Sequence, residues 1–506
     1  MTDAPEPDVA AGLVEDDEST VRTAIVIVHG MGEQLPSETL YRFVKTALPK
    51  IDYKRHYFSR PADVTDSFEA RRCLAYRPYG ADQSVYGQTE FFEYHWSYLM
   101  TDNKLSDLAA TTRRLLLRKP SLVPYGLKWV WWILWAILIA TLLAVLTLIR
   151  YRGGVTIKDF TLGGIATALG GSAILVGILK LILGRFGGIL SKSLVDVVRY
   201  LDRSPRSYAV RHDIRKGMVD LLQSIHDRNR YSRIVIVAHS LGAFIAYDGI
   251  AYLWPRMCHL HAGGAVTDDP AHDLVLELER RARAVVNHPD TPVHPTSDGT
   301  FEDIEGESRA LLDRYQEQQF KVWKQLRRQG NPWLVTDFVS VGTPMYFADL
   351  LYTAKRSEFD QLIRNAEIPV CPPQAGSQTV EGANVTIKRY GFVHKGRTVL
   401  AHGAPFAVVR WTNLFFPAER SWRGDWFGGP LRGLFGKGIL DQPLHGNLPG
   451  RRAPGFAHSR YFSYPDDDAP HDVAPVLQGI LRLDLDPVLE ELRDLPAHED
   501  VTPERL

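Results

Sequence analysis

The sequence predicts an α/β protein in which helices cover both faces of a mostly parallel β-sheet. Two uninterrupted apolar runs rich in β-branched residues, at residues 23–28 and 234–237, are typical of strands buried on both faces. Residues 338–341 and 407–414 are predicted to be two further buried strands of the same sheet. Helical patterns separate these runs, and strands that alternate with helices favour a parallel sheet because each connection must cross over one face.

Other segments complete the predicted sheet and its cover. Residues 37–48, 208–228 and 243–253 are predicted to be helices, and residues 89–98 alternate as a strand. A charged segment at residues 269–330 has apolar positions at helical spacing, so we expect a helical insertion there. It is either a cap over the functional site or a peripheral element, and the sequence favours neither.

The composition, with 45% hydrophobic and 23% charged residues, is that of an ordinary globular protein. Lys plus Arg equals Asp plus Glu at 59 each, and no basic stripe is present, so we expect no nucleic-acid partner. Cys73, Cys258 and Cys371 lie far apart without a CxxC pair, which argues against a zinc knuckle or a redox dithiol. We therefore expect no metal centre.

The 506 residues divide into a tail, one interrupted α/β domain and two insertions. Residues 1–20 are acidic and lack the features of a secretory signal, so we expect a disordered tail. The further segments are the first part of the α/β domain (21–123), an apolar hairpin (124–190), the central part of the domain (191–268), the helical insertion (269–330) and the last part of the domain (331–506).

Two apolar runs predict a transmembrane hairpin. Residues 129–148 carry no charge over about 20 positions, enough to cross the hydrocarbon core of a bilayer. Residues 162–183 form a second run, in which Lys180 can extend to the interface. Tryptophans crowd the start of the first run as an interfacial belt would, and glycines recur along one stripe of the second, which favours close helix packing.

The orientation of this hairpin follows from its flanks. Lys and Arg are more numerous outside the hairpin than in the link at residues 150–160, so we place the α/β domain in the cytoplasm at the membrane. The alternative is a pair of buried helices in a soluble domain, but two apolar helices of this length in tandem are rare there.

Residues 234–242 carry the main chemical signal. The strand IVIV leads into AHSLG, and a helix follows, which is the context of a nucleophile elbow. Ala238 and Gly242 are small, as the crowded backbone of such a turn requires. We predict that Ser240 is a nucleophile held in a strained turn with its hydroxyl exposed. The alternative is an ordinary strand-to-helix turn.

The first strand is followed by the sequence HGMG at residues 29–32. Attack by a serine on a carbonyl creates an oxyanion, which needs preorganised donors. We expect these donors to be the backbone amides of Leu241 and Met31, with Gly30 and Gly32 allowing the loop to approach the substrate. The alternative is a tight turn without a chemical role.

These motifs resemble the lipase and esterase side of the α/β-hydrolase superfamily. The resemblance covers the first strand with its HGMG, the elbow and its helix, the sequence VSVGTP at residues 339–344, and residues 410–417. It implies an α/β-hydrolase fold with the chain order nucleophile, acid, histidine. The apolar hairpin departs from the superfamily core and is interpreted as an insertion.

The resemblance also implies the other two members of a catalytic triad. Asp425, followed by an apolar pair and Gly-Gly, is similar to the Asp-x-(Val/Ile)-Gly segment of many lipases, while Glu419 and Asp349 remain alternatives. His458 lies in AHSRYF, which resembles the H-x-x-Y segment around lipase histidines. The histidines that compete with it are His445 and His471.

A membrane-anchored serine hydrolase that cleaves carboxylic esters follows from this resemblance, and it requires no cofactor. The predicted anchor favours lipids over soluble esters as substrates, with membrane lipids as partners. The alternatives are a catalytically inactive membrane interaction protein and a thioesterase or peptidase that uses the same triad.

Overall fold

The computed structural model describes most of the chain, with gaps between the described segments. These segments are residues 20–30, 35–48, 57–61, 71–79, 85–100, 109–152, 195–202, 205–261, 269–289, 304–374, 376–379, 386–394, 396–418, 424–444, 456–462, 473–483 and 486–495.

The strands of the described segments are numbered in chain order. They are β1 (Thr20–Val28), β2 (Tyr57–Pro61), β3 (Arg71–Tyr79), β4 (Val85–Tyr94), β5 (Arg233–His239), β6 (Val335–Val341), β7 (Gly376–Thr379), β8 (Thr386–Arg389), β9 (Gly391–His394), β10 (Arg397–Leu400), β11 (Arg410–Phe415) and β12 (Leu440–Pro443).

The helices are numbered in the same way. They are α1 (Glu38–Ala47), α2 (Ala109–Leu116), α3 (Lys128–Arg152), α4 (Pro205–Asp227), α5 (Leu241–Met257), α6 (Pro270–Asn287), α7 (Gly306–Arg328), α8 (Ala348–Tyr352), α9 (Arg356–Arg364), α10 (Arg432–Phe435), α11 (Val473–Leu481) and α12 (Asp486–Arg493).

An eight-stranded sheet lies at the centre of the structure, in the order β12-β11-β6-β5-β1-β4-β3-β2. The strands from β12 to β4 are parallel to one another, and β3 and β2 extend the β4 edge in antiparallel pairing. The mostly parallel sheet of the α/β class is therefore confirmed.

Both faces of this sheet are covered, which explains why its central strands lack alternation. In β1, Val26 and Val28 belong to one apolar core together with α4, α5 and α7, whereas Ile25 and Ile27 belong to a second core with α1 and α11. Successive side chains of a strand point to opposite faces, so a strand between two cores needs apolar side chains on both faces. Each such fully buried Val or Ile contributes about 1.5–3 kcal/mol.

Two predicted strands differ from the structure at their ends. The strand expected at residues 89–98 ends at Tyr94, and a short 3₁₀ turn, Ser97–Leu99, follows it. The strand expected at residues 407–414 begins only at Arg410, because Pro405 starts a 3₁₀ turn over Pro405–Ala407. Local apolarity does not distinguish a buried turn from a buried strand.

The predicted helical insertion contains α6 and α7. In α7, Trp323 donates from Nε1 to the carbonyl oxygen of Trp333 at 2.9 Å, and Tyr315 donates to that of Phe406 at 3.3 Å. These acceptors precede β6 and β11, whereas Ser240 follows the carboxyl end of β5. The contacts therefore place the insertion at the amino ends of β6 and β11, away from Ser240. This position favours a peripheral element rather than a cap.

The first apolar run forms α3, and the second run at residues 162–183 lies outside the described residues. Val130 and Trp131 are buried in the core, whereas Trp132 is 64% exposed. Within the described part of the chain, no helix meets the length and apolarity needed to cross a membrane. The predicted transmembrane insertion thus finds no support there.

Candidate active site

Ser240 lies in a sharp turn between the end of β5 and the start of α5. Its φ of 55° and ψ of −124° are conformations that non-glycine residues rarely adopt, at a cost of about 1–3 kcal/mol. Two hydrogen bonds hold the turn: the Ser240 amide donates to the carbonyl of Val341 at 2.9 Å, and the Thr343 hydroxyl donates to the carbonyl of Ser240 at 3.1 Å. The strand, strained turn and helix predicted for the elbow are all present.

Gly242 allows the first turn of α5 to approach the end of β1. A Cβ atom at this position would lie 2.4 Å from the carbonyl oxygen of Val28 and 2.5 Å from that of His29. Both neighbours are backbone atoms of a buried segment and cannot rotate away. The small residue expected two positions after Ser240 therefore has a direct steric reason.

The structure brings Ser240, His458 and Asp425 together. The Nε2 atom of His458 lies 2.8 Å from the Oγ atom of Ser240, and its Nδ1 atom lies 3.0 and 3.1 Å from the two carboxylate oxygens of Asp425. A carboxylate only accepts hydrogen bonds, so Nδ1 carries the imidazole proton and Nε2 accepts from the serine hydroxyl. This is the geometry of a nucleophile, a base and an orienting acid.

Asp425 is fully buried and its carboxylate is well supplied with donors. Besides His458, the amide of Phe427 donates to Oδ1 and the hydroxyl of Tyr461 donates to Oδ2, both at 2.8 Å. A buried carboxylate without such donors would be strongly destabilising. The acid is therefore held in one orientation by the loop that carries it and by the segment that carries the histidine.

Tyr461 is a positioning residue to which the sequence did not assign a role. Its hydroxyl accepts a hydrogen bond from the Phe416 amide at 2.8 Å while it donates to Asp425. Burial, together with the nearby Asp425 carboxylate, raises the pKa of Tyr461 well above its usual value, so the hydroxyl keeps its proton. The sequence feature that could have revealed this role is the position of Tyr461 in the H-x-x-Y segment after His458.

Two glycines make room for this arrangement. Gly342 has a φ of +53°, and a Cβ atom there would lie 2.3 Å from the Tyr461 ring and 2.9 Å from Oδ2 of Asp425. A Cβ atom at Gly428 would lie 2.6 Å from the same oxygen. The glycine of the sequence VSVGTP therefore lies directly against the tyrosine and the acid.

His239, which precedes Ser240, supports the loop of His458. Its Nε2 atom lies 2.9 Å from the His458 carbonyl oxygen, and since a carbonyl only accepts, Nε2 is the protonated nitrogen. Burial lowers the pKa of His239 to about 3, so its ring is neutral near pH 7. These contacts make His239 a neutral scaffold residue that supports the segment of His458.

The loop after β1 approaches the nucleophile. A Cβ atom on Gly30 would lie 3.0 Å from the Cβ of Ser240 and 2.6 Å from Nδ1 of His239. His29 stacks on Trp96 with the ring centroids 5.1 Å apart, and its carbonyl accepts from the indole nitrogen of Trp96 at 3.1 Å. Burial lowers the pKa of His29 to about 3, which fits a neutral scaffold residue.

The expected oxyanion donors are only partly described. Leu241 is the first residue of α5, and amides in the first turn of a helix lack partners within the helix. Met31 and Gly32 lie outside the described residues. The Leu241 amide is thus placed beside Ser240, and the Met31 donor stays a prediction.

Of the competing acid and histidine candidates, the structure describes only Asp349. Asp349, in α8, forms an ion pair with Arg118 and is not the carboxylate that contacts His458. The remaining alternatives, Glu419, His445 and His471, lie outside the described residues.

Ser240 is less accessible than the elbow predicts. Its exposed fraction is 0%, and the side chain of His458 is 14% exposed, so the expectation of an exposed hydroxyl is wrong. The Phe427 ring lies 4.9 Å from the His458 ring. The contacts that the His458 and Asp425 segments make at the elbow contribute to this burial of Ser240.

Comparisons with known proteins identify no relationship for this chain: no family model, no curated protein and no solved structure matches it.

Proposed function

We propose that this protein is a serine hydrolase of the α/β-hydrolase type that cleaves carboxylic esters through an acyl-enzyme. The observation that carries the proposal is the chain of contacts from Ser240 through His458 to Asp425. The strained elbow supports it independently, because backbone strain at a serine is costly and clusters at functional sites.

In the proposed reaction, the Oγ atom of Ser240 attacks the ester carbonyl while Nε2 of His458 takes the hydroxyl proton. The tetrahedral oxyanion accepts from the Leu241 amide and from the predicted Met31 donor. His458 then gives the proton to the leaving alcohol as the C–O bond breaks. Water cleaves the acyl-enzyme by the same steps, with Asp425 stabilising the imidazolium in both halves.

A lipid ester is the proposed substrate class. Apolar surface lies close to the acid: the ring of Trp129, at the start of α3, is 4.3 Å from that of Trp426, which follows Asp425. Further along α3, Leu138 and Ile139 are 48% and 51% exposed. Exposed apolar side chains on a helix that begins near the site favour apolar ligands or a membrane surface. We therefore also retain the predicted membrane attachment through residues 124–190 as part of this proposal.

A fluorophosphonate probe tests the nucleophile, because it reacts covalently with an activated serine. Wild-type protein and Ser357→Ala, a control at an exposed helical serine in α9, should label equally. Ser240→Ala should not label. Equal labelling of Ser240→Ala and wild type would exclude Ser240 as the nucleophile.

The substrate class needs a separate measurement. Hydrolysis of short-chain and long-chain p-nitrophenyl esters should be compared with hydrolysis of phospholipid vesicles, with Ser240→Ala as the blank. Activity confined to short soluble esters would overturn the lipid assignment while leaving the hydrolase intact. Extraction of the full chain from cell membranes by alkaline carbonate would contradict attachment through residues 124–190.

The alternative is a catalytically inactive membrane interaction protein, and the burial of Ser240 is the observation that favours it. A protein of this kind would retain the contacts of the triad for stability without reacting. Absence of probe labelling in folded wild-type protein, with and without lipid vesicles, would support that alternative.

A further inference from the structure

A cluster of metal-binding side chains lies at the other end of α5 from Ser240. Cys258 follows the last residue of α5, His259 comes next, and His402 lies in the turn after β10. One ligand atom of each lies within 4.8 Å of the others. The 17 residues of α5, at about 1.5 Å per residue, place this cluster roughly 25 Å from the nucleophile.

The backbone around the cluster is held by buried hydrogen bonds. The side-chain amide of Asn331 donates to the carbonyl oxygens of Met257, Cys258 and Leu260, at 3.2, 3.3 and 2.9 Å. The indole of Trp254 donates to the carbonyl of Ala401 at 2.9 Å, which joins the end of α5 to the turn that carries His402. The two ligand-bearing segments are therefore fixed relative to each other before any ion binds.

Several ring nitrogens at this place are buried without a hydrogen-bond partner among the described residues. These are Nδ1 of His259 and both nitrogens of His261. An unsatisfied buried polar atom costs about 1–3 kcal/mol, and such atoms in a folded protein need an explanation. A neutral imidazole carries one N–H and one lone pair, so each of these two rings has one lone pair to offer. A bound cation would accept these lone pairs.

We propose that Cys258, His259 and His402 bind a Zn²⁺ ion that ties the end of α5 to the turn after β10. A thiolate and two imidazoles are a donor set that Zn²⁺ favours, and its fourth position is left for His261 or a water molecule. Bonds of about 2.0–2.3 Å require ligand atoms closer together than 4.8 Å, and rotation of the exposed His402 side chain supplies that closure.

Binding includes one proton transfer. Cys258 is a buried free thiol, and the form of cysteine that binds a metal is the thiolate. When Zn²⁺ binds, the S–H bond breaks, the Zn–S bond forms and the proton leaves to solvent. No redox change is involved, and the distance from Ser240 makes the site structural rather than catalytic.

The test uses the full-length protein, stripped with a chelator and desalted. Zn²⁺ alone is titrated against a chromophoric chelator, and the melting temperature is followed in parallel. We expect one equivalent of Zn²⁺ to bind and to raise the melting temperature, because an ion that binds the folded state stabilises it. Replacing Zn²⁺ with Co²⁺ should give a sulfur-to-cobalt charge-transfer band.

Variants decide whether this cluster is responsible. Cys258→Ser and His402→Ala should each weaken Zn²⁺ binding on the order of a hundredfold, since each removes one ligand. The control is His212→Ala, at an exposed histidine of α4 that stacks on Tyr208, and it should bind as wild type does. Circular dichroism verifies that each variant is folded.

Two results would overturn the proposal. One is folded wild-type protein that binds no Zn²⁺ in the titration. The other is Zn²⁺ binding by Cys258→Ser and His402→Ala with wild-type affinity, which would place the ion elsewhere. Neither result depends on hydrolase activity.

Discussion

Tyr461 donates a hydrogen bond to the buried carboxylate of Asp425, and it lies in the same short segment as His458, the other partner of that carboxylate. One segment of the chain thus supplies both the proposed base and a donor that orients the acid. The contact also explains the glycine at position 342, since a side chain there would overlap the tyrosine ring.

We expect Tyr461→Phe to lower kcat about tenfold with little change in KM, because a hydrogen bond to a charged group contributes about 1.5–3 kcal/mol. Without this donor the Asp425 carboxylate is held less firmly against His458, so the loss should fall on the catalytic step rather than on substrate binding. The measurement is kcat and KM for ester hydrolysis at one pH, normalised to folded protein. Tyr208→Phe, at an exposed tyrosine, is the control; an unchanged kcat in Tyr461→Phe would contradict the positioning role.

Asp425→Asn should lower kcat by about ten-thousandfold, since the amide no longer holds His458 in the tautomer that accepts from Ser240. Asp349→Asn is the matched comparison because it replaces the competing acid, which pairs with Arg118. It should lose stability but retain most of its activity per folded molecule. If Asp349→Asn were instead the much less active variant, Asp349 rather than Asp425 would be the acid.

Gly242→Ala should destabilise the fold by several kcal/mol and abolish probe labelling, because the added methyl group meets backbone oxygens at about 2.4–2.5 Å. Gly479→Ala is a favourable control, since Gly479 lies in α11 and its added Cβ would meet no atom within 4 Å apart from its chain neighbours and the nearby backbone of its own helix. That control should be stabilised by about 0.5–1 kcal/mol through its higher helix propensity. Urea denaturation measures both, and equal stabilities would refute the close approach of α5 to β1.

Glu93, at the carboxyl end of β4, should make stability pH-dependent. Burial raises its pKa to about 7, although the Ser37 amide and the Thr39 side chain donate to it. The unfolded carboxyl titrates near 4.5, so the native state binds more protons between about pH 4.5 and 7 and its stability falls as pH rises through that window.

Glu93→Gln should remove this dependence and raise the free energy of unfolding at pH 8 by roughly 3 kcal/mol relative to wild type. Urea denaturation at pH 5 and pH 8 measures it. Glu490→Gln, at an exposed glutamate of α12, should leave the dependence unchanged. A parallel pH dependence in Glu93→Gln and wild type would show that another group is responsible.

The sequence by itself determined the local features. The buried strand before Ser240, the small residues around it and the helix after it are encoded within a few positions, so periodicity and residue size sufficed to predict β5, the turn and α5. The α/β class followed for the same reason, because the apolar runs in β1 and β5 are typical of strands that are buried on both faces. The helical insertion was predicted from the spacing of its apolar residues. That spacing did not predict that the insertion packs at the amino ends of β6 and β11, away from Ser240.

Only the tertiary structure decided which distant residues meet. His458 lies 218 positions from Ser240 and 33 from Asp425, and their contacts arise from the order of parallel strands, which no local pattern encodes. The burial of Ser240, which contradicted the expected exposure, also depends on packing between distant segments. So does the proximity of Cys258 and His402, whose segments are joined by the hydrogen bond of Trp254. Motif spacing can predict a site only when its residues are close in sequence. Packing, in contrast, brings together side chains that are far apart along the chain.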